Sequence, residues 1–122
     1  MNKGHRTGKR GEDIACQYLR QQGYEIIARN WRSRFGEIDI IARDGDSLVF
    51  VEVKTRTGSG FGGPEGALDE RKRGRIIATA KAYLSGIESD LAIRFDLVAL
   101  RGKEIELYKD AFREEEACSP GY

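Results

Sequence analysis

The chain has 122 residues, 39% of them hydrophobic and 34% charged, with a net charge of +1. That length implies one domain around one core, and no apolar run approaches the ~20 residues a membrane-spanning helix needs. The charge is uneven, at +5 over residues 1–36, −2 over 37–63, +2 over 64–86 and −4 over 87–122, which excludes a uniformly basic DNA-coating protein and suits a basic face beside an acidic site. The basic N-terminus is followed by no apolar segment of a secretory signal. Cys16 and Cys118 have no metal-ligand spacing, so free thiols in a reducing cytoplasm are expected.

Residues 1–7 are polar and basic and are expected to be mobile. From Gly8 to Gln22 the pattern is helical, with Ile14, Ala15, Tyr18 and Leu19 on one face. Glu12 and Asp13 are expected in the first turns, where the helix dipole favours acids, and Gly23 is placed to end the helix. Tyr24 to Trp31 reads as a strand. Gly36 to Thr55 then reads as a hairpin folded at Asp44-Gly45-Asp46, since Asp-Gly between apolar runs is a hairpin signal. Arg56 to Gly63, RTGSGFGG, must be a loop and lacks the Gly-Lys-Ser/Thr ending of a nucleotide-binding P-loop; a flap or a connector is expected.

Pro64 suits the start of a second helix running to about Ser85. Leu68, Ile76, Ile77, Ala80 and Leu84 form its apolar face, and Arg71, Lys72, Arg73 and Arg75 its polar one. Ala92 to Leu100 and Glu104 to Tyr108 read as a second hairpin around Arg101-Gly102-Lys103. Asp110 to Tyr122 is acidic and expected to fray, giving a domain over 8–110 and a tail over 111–122. The order α-β-β-β-α-β-β predicts an α/β fold, a mixed sheet flanked by helices.

The first hairpin holds three ionisable residues inside strands. Glu52 and Lys54 share a face, with Val51 and Val53 on the other. A Gly45-Asp46 loop would put Asp39 opposite Glu52, and an Asp44-Gly45 loop would put it diagonal to Glu52 on the same face. A three-residue loop would separate them. Two apposed carboxylates need a cation or a proton between them. Mg²⁺ prefers hard oxygens, which Asp39, Glu52 and the Val53 carbonyl could supply, leaving room for water and a phosphate oxygen. Lys54 could then hold a water or stabilise charge developing on phosphorus. Phosphodiester hydrolysis follows as the natural hypothesis, with surrounding basic residues attracting nucleic acid. Against it stands the plain reading, that Glu-x-Lys on a strand is an ordinary solvated pair.

Asp39 and Glu52-Val53-Lys54, separated by a hairpin and preceded by a helix bearing Glu12, resemble the motif of the PD-(D/E)XK superfamily. This is the restriction-endonuclease-like fold, and the spacing is similar to that of archaeal Holliday-junction resolvases. The wider text, with Gly11-Glu12, Gly36-Glu37-Ile38-Asp39, Val49 to Lys54 and Lys81-Ala82-Tyr83-Leu84, resembles the bacterial YraN-like family over residues 8 to 110. Ile38 stands where many superfamily members carry proline. The resemblance implies Asp39 and Glu52 as ligands of Mg²⁺ or Mn²⁺, Lys54 as the catalytic lysine, and Glu12 as a helix carboxylate approaching the metal. It implies a nuclease acting on DNA, branched or otherwise structured, and by analogy with the resolvases it allows a homodimer. Two alternatives share the fold: nucleic-acid binding without cleavage, and a protein-interaction domain.

Other residues have plainer expectations. Arg6, Lys9 and Arg10 on the first helix, with Arg71, Lys72, Arg73 and Arg75 on the second, either contact phosphates or form solvated faces. With the Gly45-Asp46 loop Glu37 could pair with Lys54 across the hairpin, either tuning it or simply making a salt bridge. Trp31 and Phe35 are expected in packing rather than as base-stacking platforms, and Asp96 is expected to pair with an arginine.

Overall fold

A computed structural model describes residues 3–56 and 68–114, with side chains from Arg10 onward. The elements follow the predicted order: α1 (Lys3–Gln21), β1 (Glu25–Ser33), β2 (Gly36–Asp44), β3 (Ser47–Arg56), α2 (Glu70–Leu84), β4 (Ala92–Arg101) and β5 (Glu104–Phe112). The strands lie in the sheet in chain order. Neighbours are antiparallel except β3 and β4, which run parallel from Ser47↔Ala92 to Arg56↔Arg101. A parallel neighbour needs a crossover, and α2 lies in that connection.

Alternation along β3 divides the core into two layers. Leu48 and Phe50 face one side, where they pack with Ile76, Ile77 and Ala80 of α2. Val49 and Val51 face the other, against Ala15, Cys16 and Leu19 of α1. A sheet covered on both faces explains why β3 reads as a continuous apolar run. An aromatic row crosses the α2 layer: Trp31 meets Tyr83 edge-on at 5.3 Å, Tyr83 meets Phe50 at 5.9 Å, and Phe95 stacks on Phe50 at 5.7 Å and on Phe112 at 5.0 Å.

Several boundaries differ from expectation. Helix α1 begins at Lys3 rather than Gly8, so no acid lies in its first turn and the dipole gives no reason for Glu12 and Asp13. Arg29 of β1 holds them instead, 2.7 Å from Asp13 and 3.8 Å from Glu12. Helix α2 begins at Glu70, because Asp69 is extended and its carboxylate accepts the Lys72 N–H at 2.8 Å, an N-cap that stops the helix from running further back. Leu68 still joins the α2-side core, but from ahead of the helix. Pro64 and the rest of the glycine-rich stretch from Thr57 onward lie outside the described residues. Strand β5 runs on to Phe112, which is buried and stacked on Phe95, beyond the expected end of the domain at residue 110.

The end of the sheet near the β2–β3 turn is closed by a polar network. Asp96 is fully buried. It accepts from Tyr24 Oη at 2.6 Å, from Arg94 Nε at 2.8 Å and from the Asp110 N–H at 2.9 Å. Arg94 also reaches Asp44 at 2.8 Å. The buried carboxylate is thereby paired and hydrogen-bonded, as burial of a charge demands, and the expected arginine partner of Asp96 is Arg94.

Candidate functional site

The first hairpin takes the Gly45-Asp46 loop. Asp44 pairs with Ser47, and the ladder continues to Ile40↔Val51. Gly45 has φ +59 while Asp46 keeps φ negative, the pattern of a type II′ turn. One more step would pair Asp39 with Glu52, and there the ladder stops. β2 stays paired with β1 as far as Ser33↔Gly36, while β3 stays paired with β4 to Arg56. The gap therefore opens between β2 and β3, and Asp39 and Glu52 face each other across it.

Alternation in β2 also breaks at Asp39: Ile40 lies in the α1 layer, yet Ile38 lies in the α2 layer. The flanking pairs Arg29↔Ile40 and Trp31↔Ile38 bracket Asn30, which has φ +54. Side chains two apart on a regular strand share a face, so β2 is irregular around Asp39. Asp39 Oδ2 accepts the Val53 N–H at 2.8 Å, taking the place of a backbone partner. The N–H and C=O of one strand residue point to the same edge, so the Val53 carbonyl faces the same opening.

A cavity of about 480 Å³ surrounds the gap. Asp39, Glu52, Val53 and Lys54 line its floor, Glu12 of α1 one wall, and Lys72, Arg75 and Ile76 of α2 another. Helix α1 comes close because Gly11 has no side chain: a Cβ there would sit 3.1 Å from Thr55 Oγ1 and 3.4 Å from Leu100 Cδ1. Glu52 is 8% exposed. Its Oε2 is shared by two lysines, Lys72 Nζ at 3.2 Å and Lys54 Nζ at 3.7 Å. Burial, then the Glu52 charge, push the Asp39 carboxyl up to about 8, although the Val53 N–H favours its anion. Burial, then the hydrogen bond and charge of Lys72, pull Lys54 below the ordinary lysine range. Glu52 is thus paired with lysines, while Asp39 is pushed toward its protonated form.

The remaining candidates divide by position. Lys72 and Arg75, three apart on α2, both line the cavity. Lys72 therefore stands as the partner of Glu52 rather than as one of a row of surface cations. Arg71 is exposed outside the cavity lining, and Arg73 lies on the row of buried Ile77 with its Nε buried and unpartnered. Arg10 is exposed on α1, and the side chains of Arg6 and Lys9 lie outside the described ones. Glu37 pairs with Arg32 at 2.9 Å, not with Lys54. Trp31 is packed as expected, but Phe35 is not: it lines the cavity and is 42% exposed. Among the described residues no group of three or more His, Cys, Asp or Glu is placed to hold a metal ion, so Glu12 does not complete a carboxylate triple with Asp39 and Glu52.

Fold and site together define an α/β domain whose five-stranded mixed sheet parts at one end around two carboxylates and a lysine. The chain belongs to the uncharacterised protein family UPF0102, the YraN-like family, whose model matches residues 11–100. It is 49% identical over 117 residues to a UPF0102 protein of Syntrophus aciditrophicus, covering 92% of each chain. It is 48% identical over 111 residues to one of Rhodococcus opacus, covering 86% of this chain and 94% of the relative. With one of Nitrosomonas europaea it shares 41% over 117 residues, covering 93% and 99%.

Proposed function

We propose that this protein is a PD-(D/E)XK-type nuclease that hydrolyses phosphodiester bonds in DNA with Mg²⁺ or Mn²⁺, structured or branched DNA being its substrate class. The supporting observation is the parting of β2 and β3 at Asp39 and Glu52, with Lys54 on the same floor. Mg²⁺ sites are commonly built from only one or two carboxylates plus carbonyl oxygen and water. Two apposed carboxylates beside a carbonyl oxygen are hard donors, so the set fits a divalent ion in place of the proton that burial and Glu52 hold on Asp39.

Asp39, Glu52 and the Val53 carbonyl would hold that ion, with Glu12 in the wall beside them. When bound, it supplies charge neutralisation at the phosphate and an acidified water. Lys54, with its proton affinity lowered, orients the attacking water and donates a hydrogen bond to charge developing on phosphorus. Lys72 keeps Glu52 paired in the ligand-free protein and offers its ammonium to the strand as it enters. Cleavage of a panel of structured DNAs in Mg²⁺ or Mn²⁺ tests this reading. Wild type is expected to cut at least one substrate, with Lys54→Ala slower by about 10²–10³-fold; a wild type inert on the whole panel would overturn it.

A second reading, DNA binding without cleavage, draws on the two lysines already held by Glu52. Metal-independent, salt-dependent binding with no product under either metal would select it.

A further inference from the structure

The turn between β1 and β2 presents an aromatic ring that the proposed hydrolysis does not use. Phe35 stays 42% exposed while lining the carboxylate cavity, apart from the buried row of Trp31, Tyr83 and Phe50. The turn is braced from three directions. The Phe35 N–H donates to Ser33 Oγ at 3.0 Å, and Arg32 holds Glu37 at 2.9 Å. Gly36 approaches α2 so closely that a Cβ would sit 3.2 Å from Thr79 Oγ1. The Arg34 guanidinium lies over the ring, 4.9 Å from its centroid. Lys54, Lys72 and Arg75 line the same cavity, beside the carboxyl groups of Glu12, Glu37, Asp39 and Glu52. A fixed, exposed ring beside a group of cations matches the two halves of a nucleotide, a flat base and an anionic phosphate.

We propose that Phe35, backed by Arg34, is a stacking platform for one unpaired nucleobase of a DNA strand whose neighbouring phosphate lies against Lys54, Lys72 and Arg75. The proposal rests on the nucleic-acid reading above but not on cleavage. Bases inside an intact duplex are covered on both faces by their neighbours, so such a platform discriminates in favour of gapped or branched DNA.

The test is fluorescence anisotropy with the full-length protein in chelator, where no cutting is needed. The probes are a labelled gapped duplex, a perfect duplex of equal length and a labelled mononucleotide. Wild type is expected to prefer the gapped duplex. Phe35→Ala should weaken that binding roughly tenfold, leave the perfect duplex unchanged and melt like wild type, while Phe35→Trp should retain the preference. Phe35→Ala binding every probe as wild type does, or weakening both duplexes equally, overturns the platform while leaving the DNA reading intact. Mononucleotide binding as tight as gapped-DNA binding, with the same Phe35 dependence, overturns the strand as its ligand. A wild type that binds none of the probes overturns the DNA reading and the platform together.

Discussion

At Asp39 two demands meet. The carboxylate replaces a missing backbone partner for Val53, and it also sits buried beside the charge of Glu52. The first holds the strands at a fixed gap; the second costs stability unless a proton or a cation answers it. An acid whose folded pKa is raised from 3.8 to about 8 stabilises the fold fully below the lower value and loses that contribution as pH rises toward the upper one. In chelator, wild type should therefore melt progressively lower as pH rises from about 5 to about 9. Asp39→Asn keeps an oxygen to accept the Val53 N–H and removes the charge. It should flatten that slope and gain about 1–2 kcal/mol at the alkaline end, a size typical of relieving a functional site. Thermal melts across the pH series check this, and a variant less stable than wild type at pH 9 would contradict it.

At the scale of elements, the site depends on how two turns and two helices approach one sheet end. Gly36 combines φ +151 with close contact to α2, where Thr79 is buried and its hydroxyl donates to the Arg75 carbonyl. Gly36→Ala should destabilise by about 1–3 kcal/mol through strain and crowding. Adding Thr79→Ala should return the crowding part, which a double-mutant cycle in denaturant measures; fully additive losses would show that the contact is not limiting. The element order was readable from periodicity and turn residues, and so was the shared face of Glu52 and Lys54. The register was not. Asp44-Gly45-Asp46 permits several loops, and only the strands' packing selects Gly45-Asp46. The face switch at Asp39 was equally hidden, because it arises where β2 leaves β3 and no residue pattern announces it. The start of α2 was legible in principle, since Asp69 three residues before Lys72 has the spacing of a cap, but Pro64 offered a competing signal.

At the scale of the whole molecule, the two ends of the sheet are built differently. Around the β2–β3 turn, Asp96 is satisfied by Tyr24, Arg94 and the Asp110 backbone, so its charge is fully answered. At the other end the strands part and the acidic pair has one side paired with lysines and one side not. What separates this end from the Asp96 network is one buried acid held toward its protonated form beside a second, which individual residue types do not reveal; Lys72 lines the same cavity because α2 carries it there. The direct measurement is a calorimetric titration of Mn²⁺ into chelator-stripped protein near pH 8. Wild type should take up one ion per chain, with binding lost or weakened at least about tenfold in both Asp39→Asn and Glu52→Gln. Equal Mn²⁺ affinity in all three proteins would contradict a divalent-cation site at the parted strands.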